Sequence, residues 1–216
     1  MKLLKSISSI ALIAFILPLT VLAQKPKGKD ELVTIQTRQG ELKLVLFDDT
    51  PRHKENFLKL AKEGFYDGTT FHRVIDGFMI QGGDPNTKDS DPGNDGTGNP
   101  GYTVPAEINP NHKHVRGAVA AARQGDLTNP ERASSGSQFY IVENHDGTPM
   151  LDEAYTVFGQ VVDGLDVIDK IAALPKDGRD HPLSDVKMNV TVEKVKKKKI
   201  ARKYGYNYNT QALEKK

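Results

Sequence analysis

The feature that most constrains the fold of this chain is a series of short apolar segments, most of them ending in a turn sequence. Residues 32–37 and 41–47 flank a turn at Gly40, and in the second segment Leu42, Leu44 and Leu46 recur at every second position. This period of two is typical of a strand that buries one face. Further segments of this kind span 71–81, 117–122, 137–142, 155–162 and 188–195. So many short strands favour a closed β-barrel or a sandwich over alternating strands and helices.

The pattern predicts only two helices. The first begins at Thr50-Pro51, where threonine suits the N-cap and proline suits the first helical position. It ends at Gly64, since glycine readily adopts the left-handed conformation that stops a helix. The second helix ends before Pro175. Its apolar stripe consists of Leu165, Ile168, Ile171 and Ala172.

Composition limits the classes of protein that remain. With 216 residues, the chain is long enough for one sizeable domain and additional terminal segments. It contains no cysteine, which excludes a disulfide scaffold, a thiol nucleophile and any cysteine-ligated metal.

The first 23 residues have the pattern of a secretory signal. Lys2 and Lys5 precede a nearly continuous apolar stretch at 10–22, and residues 21–23 (Val-Leu-Ala) supply a small-residue cleavage pattern. The alternative is an uncleaved membrane anchor, but the apolar run of about 14 residues is shorter than the ~20 that a spanning helix needs. We therefore expect an exported protein, periplasmic or secreted, with no stable membrane insertion after cleavage.

Charge is distributed unevenly along the chain. Residues 194–216 contain nine Lys or Arg and one acidic residue, a charge of +8; residues 1–23 carry +2 and the whole chain carries +2, so residues 24–193 carry −8. An acidic body is not typical of a domain that binds nucleic acid. We divide the chain into a signal (1–23), a linker (24–30), a folded domain (31–195) and a basic tail (196–216).

Three interpretations of the basic tail stay open, the first being contact of its lysines and arginines with nucleic acid or an anionic membrane surface. Like charges repel and apolar residues are few, which favours a solvated, partly disordered segment. Tyr204, Tyr206 and Tyr208 alternate, however, so a short strand packed on the body is the alternative.

Three segments carry a family resemblance. They are FHRVIDGFMIQGGD at 71–84, SGSQFYI at 135–141 and LDEAYTVFG at 151–159. In sequence and order they resemble the signature segments of the cyclophilins, a family of peptidyl-prolyl cis-trans isomerases. The resemblance implies a mainly β fold, a closed eight-stranded antiparallel β-barrel capped by two α-helices. It also implies a monomer without a cofactor or metal, whose partners are proline-containing peptides and unfolded or folding proteins rather than nucleic acid.

The chemistry of such an enzyme can be argued from the peptide bond itself. Rotation about an X-Pro bond has a barrier of ~18–20 kcal/mol because amide resonance is lost in the twisted state. In that state the lone pair of the proline nitrogen is localised and accepts a hydrogen bond, whereas in the planar ground state it does not. A guanidinium aimed at this nitrogen therefore binds the transition state selectively. No proton transfer, metal or nucleophile is required.

The resemblance implies a role for each of twelve residues. Arg73 is the catalytic arginine, and ordinary surface ion pairing is its competing interpretation. Core packing is the competing interpretation of the pocket residues. The proline pocket consists of Phe78, Met79, Tyr140 and Leu151. Gln81 and Gln138 orient Arg73 and bind the substrate backbone. The rim of the substrate site consists of His72, Ala122, Arg123 and Tyr155, and Met150 completes the site.

Some positions depart from the family pattern. Met150 stands where many eukaryotic members have tryptophan, which argues against tight binding of cyclosporin. Tyr155 stands where many members have histidine, and Arg123 where many have asparagine. The loop at 82–101 is longer than usual for the family.

The turn at Asp76-Gly77 creates a conflict about register. This dipeptide predicts a two-residue hairpin, which pairs Arg73 with Ile80 and places Arg73 and Gln81 on opposite faces. The role implied for Gln81 requires a wider turn or a bulge, so we predict that the simple register is not adopted.

Other signals are weaker. His112 and His114 form a possible metal pair, but no third ligand has a convincing spacing, so no metal is predicted. The acidic residues of the loop at 84–95 lack calcium-loop spacing. The predicted function is isomerisation of X-Pro bonds during folding of exported proteins. The alternatives are a proline-peptide binding module or holding chaperone with little turnover, and a surface-interaction protein that acts through the basic tail.

Overall fold

A computed structural model of the chain describes residues 26–213, and the predicted signal at 1–23 lies outside the described residues. The described part of the chain contains twelve strands, and the first begins inside the predicted linker. They are β1 (Lys29–Thr37), β2 (Gly40–Leu46), β3 (Phe71–Ile75), β4 (Met79–Gly82), β5 (Thr103–Val104), β6 (Ala118–Ala121), β7 (Ser134–Ser135), β8 (Phe139–Val142), β9 (Val157–Asp163), β10 (Asn189–Lys196), β11 (Tyr206–Asn207) and β12 (Ala212–Leu213).

Eight of these strands form one antiparallel sheet. Its order is β10-β1-β2-β9-β6-β8-β4-β3, while β5 pairs with β7 and β11 pairs with β12. The expected closed barrel is wrong: within residues 26–213 the edge strands β3 and β10 form no ladder, and the sheet is a curled half-barrel. The reason is that the two segments meet only just before each strand begins, at Phe71 for β3 and at Asn189 for β10. Only a single bridge, Thr70 to Lys187, joins the two edges there.

Three α-helices accompany the sheet: α1 (Pro51–Lys62), α2 (Leu165–Ala172) and α3 (Lys197–Tyr204). The first two match the predicted helices, and two short 3-10 helices occupy Pro85–Lys88 and Pro149–Leu151. Phe57 of α1 and Ile168 of α2 join one apolar cluster with Val119 and Ile141 from the sheet. Both helices therefore cover the same face of the sheet, which leaves the opposite face for other packing. Among residues 26–213, no helix is both long and apolar enough to cross a lipid bilayer.

The start of α1 is stabilised differently from the prediction. The Thr50 side chain makes no capping hydrogen bond. Instead, the Glu107 carboxylate accepts from the backbone N–H of Arg52 (3.0 Å) and of His53 (2.9 Å). A carboxylate distant in sequence therefore satisfies the free amides of the first helical turn. At the other end, Gly64 has a positive φ of 70°, as the stop signal predicts.

The basic tail is folded as far as residue 213. Helix α3 begins directly after β10, and β11 and β12 form a small hairpin. Ile200 and Tyr206 are 1% and 2% exposed, and they pack in a cluster with Phe47 and Val195. The interpretation as a solvated, disordered end is therefore wrong for residues 197–213. One apolar residue per helical turn and a buried tyrosine suffice to hold this short segment against the sheet.

Candidate active site

Strands β3 and β4 bring the predicted catalytic residues together. Arg73 pairs with Gln81, Val74 with Ile80 and Ile75 with Met79. The loop between the strands therefore has three residues, 76–78, and the Phe78 N–H donates to the Ile75 carbonyl (3.1 Å). The prediction that the simple two-residue register is not adopted is confirmed.

A bulge at His72 sets which way Arg73 faces. Phe71 pairs with Gly82 and Arg73 with Gln81, so His72 is an extra residue in the ladder. A bulge of this kind reverses the side-chain alternation. Phe71 consequently packs in the helix-covered core, while Arg73 lies exposed on the opposite face.

Beside Arg73 lies a small cavity of about 140 Å³, lined by both apolar and polar side chains. Pockets for drug-sized ligands measure about 300–1,000 Å³, so this one fits a single side chain or ring. Its lining residues come from β3, β4, β8 and the loops after β6 and around 151–155. They are Arg73, Phe78, Met79, Gln81, Ala122, Arg123, Tyr140, Leu151 and Tyr155, all of which were singled out from the sequence.

The Arg73 guanidinium has no hydrogen-bonded or ionic partner within residues 26–213. No residue between 26 and 213 forms an ion pair or a side-chain hydrogen bond with it. The competing interpretation, a surface ion pair, is therefore wrong for the described chain. Five N–H donors remain available at this cavity.

A chain of amide hydrogen bonds fixes Gln81. The Gln138 amide nitrogen donates to the carbonyls of Gly96 (3.0 Å) and Gly98 (2.8 Å). This leaves the Gln138 oxygen to accept from the Gln81 amide nitrogen at 3.0 Å. The oxygen of Gln81 therefore stays free as an acceptor on the face that carries Arg73.

Tyr140 is positioned by residues that were not assigned to the site. The Tyr140 hydroxyl lies 2.9 Å from His114 Nε2, and His114 Nδ1 lies 2.9 Å from the Asp152 carboxylate. Burial and the resulting loss of solvation lower the pKa of His114, even though Asp152 acts in the opposite direction. A neutral imidazole then donates to Asp152 and accepts from the tyrosine. Only the fold could reveal this, because His114 and Asp152 are separated by 38 residues.

Comparison with known proteins identifies the family and the fold. Residues 32–193 match the family model described as cyclophilin type peptidyl-prolyl cis-trans isomerase/CLD. The chain belongs to the cyclophilin family. As a cyclophilin it is a peptidyl-prolyl cis-trans isomerase.

Its similarity to individual cyclophilins is moderate. It is 40% identical to an Arabidopsis thaliana peptidyl-prolyl cis-trans isomerase, over 73% of this chain and 92% of that one. It is also 40% identical to a putative bifunctional phosphatase/peptidyl-prolyl cis-trans isomerase of Streptococcus pyogenes, over 71% of this chain but only 37% of that one. A crystal structure of a Cryptosporidium parvum cyclophilin type isomerase has a TM-score of 0.67 and 31% identity, covering 77% and 98% of the two chains. The same protein was solved in the presence of the dipeptide Ala-Pro.

Arg123 and Tyr155 build one wall of the cyclophilin cavity. The Arg123 guanidinium lies over the Tyr155 ring at 4.5 Å, and its Nε donates to the Ala154 carbonyl (2.9 Å). An ion pair with Asp126 (2.6 Å) occupies the far side of the guanidinium. These contacts fix Arg123 in the wall of the cavity, whereas the Arg73 guanidinium has no such partner among residues 26–213.

Three predicted substrate residues, His72, Met150 and Gln138, lie outside the lining of the small cavity of this cyclophilin. His72 is 5% exposed, so it is buried rather than at the rim, and neither ring nitrogen has a hydrogen-bond partner. Met150 is 73% exposed and is not part of the lining. Gln138 lines a second, larger cavity of about 750 Å³ that shares Gln81, Ala122 and Arg123 with the first.

The two histidines considered as a metal pair serve other purposes. His112 Nε2 lies 2.8 Å from Asp49, and His114 lies between Asp152 and Tyr140. Each imidazole is already held by a different carboxylate. Their spacing of two residues therefore does not bring them to a common metal.

Proposed function

We propose that this cyclophilin accelerates rotation about X-Pro bonds in exported proteins as they fold, and that Arg73 is its catalytic residue. The observation that carries the proposal is the unpaired guanidinium beside a cavity the size of one ring. The proline ring would occupy the cavity between Met79, Tyr140 and Leu151. Arg73 would then face the nitrogen of the same proline.

The arrangement supplies transition-state binding without bond chemistry. Uncatalysed rotation takes tens to hundreds of seconds, so millisecond turnover requires about 10⁴-fold acceleration, or about 5–6 kcal/mol. A charge-assisted hydrogen bond that exists only when the nitrogen is pyramidal contributes part of this. An apolar grip on the ring, while the preceding residue rotates, contributes the rest.

The larger cavity supports a peptide substrate rather than an isolated proline. It adjoins the proline cavity at Gln81, Ala122 and Arg123, so a chain lying across both would place the residues before proline in it. Backbone groups of such a chain would meet the free oxygen of Gln81. The presence of Ala-Pro with the Cryptosporidium relative supports this class of ligand.

The experiment is a cis-to-trans assay with a short Ala-Pro peptide, using the full chain, Arg73→Ala and the matched control Arg52→Ala. Arg52 is exposed on α1 and lines neither cavity. We expect Arg73→Ala to lower kcat/KM at least about tenfold, equal to 1.4 kcal/mol of transition-state binding, and the control to match wild type. Equal activity of all three proteins would overturn the role of Arg73. Peptide binding without acceleration would support the binding-module alternative.

Export is a separate part of the proposal and rests on residues 1–23. A fusion of the full chain to a reporter active only outside the cytoplasm tests it, with a second fusion that begins at Gln24. Reporter activity in the first fusion alone supports export, and activity in neither overturns it.

A further inference from the structure

We propose that Glu143, His145 and Asp169 form a binding site for a divalent transition metal of the Zn²⁺ class. Glu143 directly follows β8, His145 lies in the next turn, and Asp169 is on α2. Each residue offers one ligand atom, and the three atoms lie within 4.8 Å of one another. The site is separate from the proline cavity, and none of its members lines it.

Glu143 is the observation that points to a ligand. Its side chain is 4% exposed, and its Oε2 atom is buried with no hydrogen-bond partner among the described residues. The other oxygen of the same carboxylate, Oε1, is the one that faces His145. A buried carboxylate whose oxygen lacks a partner is costly, and a cation bound by Oε1 would compensate its charge.

Charge balance leaves room for a cation. The only arginine in this cluster, Arg116, donates to both oxygens of Asp169 (2.9 and 2.8 Å) and to the backbone carbonyl of Glu143 (2.8 Å). It therefore pairs directly with the Asp169 carboxylate, whereas it bonds Glu143 through the backbone carbonyl and not through the side chain. Asp169 keeps a free lone pair on each oxygen, because a carboxylate oxygen accepts more than one bond.

The geometry needs little change to hold a metal. His145 Nε2 lies 4.0 Å from Glu143 Oε1 and 3.7 Å from Asp169 Oδ1. Ligands at about 2.0–2.1 Å in a tetrahedron are about 3.4 Å apart, so the two contacts of His145 would have to shorten by about 0.6 and 0.3 Å, and the two carboxylate oxygens, which lie within 4.8 Å, would have to close to the same separation. His145 is 70% exposed and free to rotate inward. One imidazole with two carboxylates suits Zn²⁺ better than Mg²⁺ or Ca²⁺, which prefer oxygen ligands alone.

The site adjoins the turn that carries Phe78. The backbone N–H groups of Glu143 (2.9 Å) and Asn144 (3.2 Å) donate to the Phe78 carbonyl, and the Asn144 side chain donates to the Gly77 carbonyl (2.7 Å). Metal binding would fix the end of β8 and, through these bonds, the three-residue loop. We therefore expect Zn²⁺ to stabilise the fold.

The test is calorimetric titration of the tag-free full chain with ZnCl2, with MgCl2 in a parallel titration. We expect one Zn²⁺ per chain, and removal of a ligand in His145→Ala to weaken binding at least about tenfold. Glu143→Gln tests the buried ligand with little change of shape. The matched control is Asp166→Asn, which is on α2 but pairs only with Lys170.

A second readout guards against misfolded variants. His145 is exposed, so His145→Ala should fold normally, and we expect Zn²⁺ to raise the thermal midpoint of wild type and Asp166→Asn but not of His145→Ala. Absence of Zn²⁺ binding by wild type would overturn the proposal. Undiminished binding by His145→Ala, or equal binding of Mg²⁺, would also overturn it.

Discussion

Arg73 on β3 and Gln81 on β4 are direct cross-strand partners. Arg73 directly follows the bulge at His72, and Gln81 lies three residues after the loop at 76–78. Directly opposed residues share a face of the sheet. The three-residue loop therefore places the free guanidinium next to an amide whose orientation is fixed by Gln138. In the two-residue register these side chains would lie on opposite faces, and the site would not form.

The first prediction concerns this neighbouring amide. Gln81→Ala removes the hydrogen bond to Gln138 and the free acceptor beside Arg73. We expect kcat/KM for an Ala-Pro peptide to fall about three- to tenfold, the equivalent of one net hydrogen bond. Gln36→Ala is the control, because Gln36 lies on β1 and contacts only the exposed Glu41. Unchanged activity of Gln81→Ala would show that this amide does not support Arg73.

Much of this site follows from the sequence because its members lie in contiguous segments. Arg73, Phe78, Met79 and Gln81 occur within nine residues, and alternation along two strands determines which of them share a face. The local turn signal alone was misleading. Asp76-Gly77 favours two loop residues, but packing of Phe78 at the cavity adds a third.

The features that the sequence did not predict depend on distant pairs. A closed barrel would require β3 to pair with β10. These strands are more than a hundred residues apart in the sequence, and local periodicity does not indicate whether they pair. The partners of His114 are equally distant. Its spacing from His112 suggested a shared ligand, whereas the fold turns each ring towards its own carboxylate.

The second prediction concerns the segment that carries Leu151. Asp152 accepts from the His114 backbone N–H (2.8 Å) and ring (2.9 Å), which holds this segment against Tyr140. We expect Asp152→Ala to raise KM for the Ala-Pro peptide about three- to tenfold. A hydrogen bond to a charged group is worth about 1.5–3 kcal/mol, and we expect part of this lost energy to weaken binding of the peptide. Asp146→Ala, in the exposed turn of the same loop, is the control. Equal KM values would argue that Leu151 is held by packing alone.

The third prediction concerns acid stability. Burial lowers the pKa of His72, although Asp84 and Asp95 oppose the effect, and burial also lowers the pKa of His53 and of His114. Below pH 6.5 the unfolded chain therefore binds more protons than the folded one. We expect the free energy of unfolding to fall between pH 7 and pH 5, by up to about 1.4 kcal/mol per pH unit for each group.

Urea unfolding at pH 7, 6 and 5 in the presence of EDTA measures this dependence. His72→Gln should show a shallower pH dependence than wild type, because it removes one buried imidazole. His145→Gln is the control, since that ring is exposed. An identical slope for wild type and His72→Gln would contradict the prediction.

The last prediction concerns the C-terminal extension, which lies beyond the residues that match the family model. Ile200 of α3 is 1% exposed and packs in one cluster with Phe47 and Tyr206, while Lys197 pairs with Asp48 at 2.9 Å. Truncating a buried isoleucine to alanine costs about 2–5 kcal/mol when the cavity persists. We therefore expect Ile200→Ala to lower the free energy of unfolding by about 2–4 kcal/mol, with Lys198→Ala, on the exposed face of α3, close to wild type. Because no residue of α3 lines the proline cavity, we expect kcat/KM to be unchanged at temperatures where the variant is folded. A loss below about 0.5 kcal/mol, the range of ordinary surface substitutions, would show that the extension unfolds independently of the sheet.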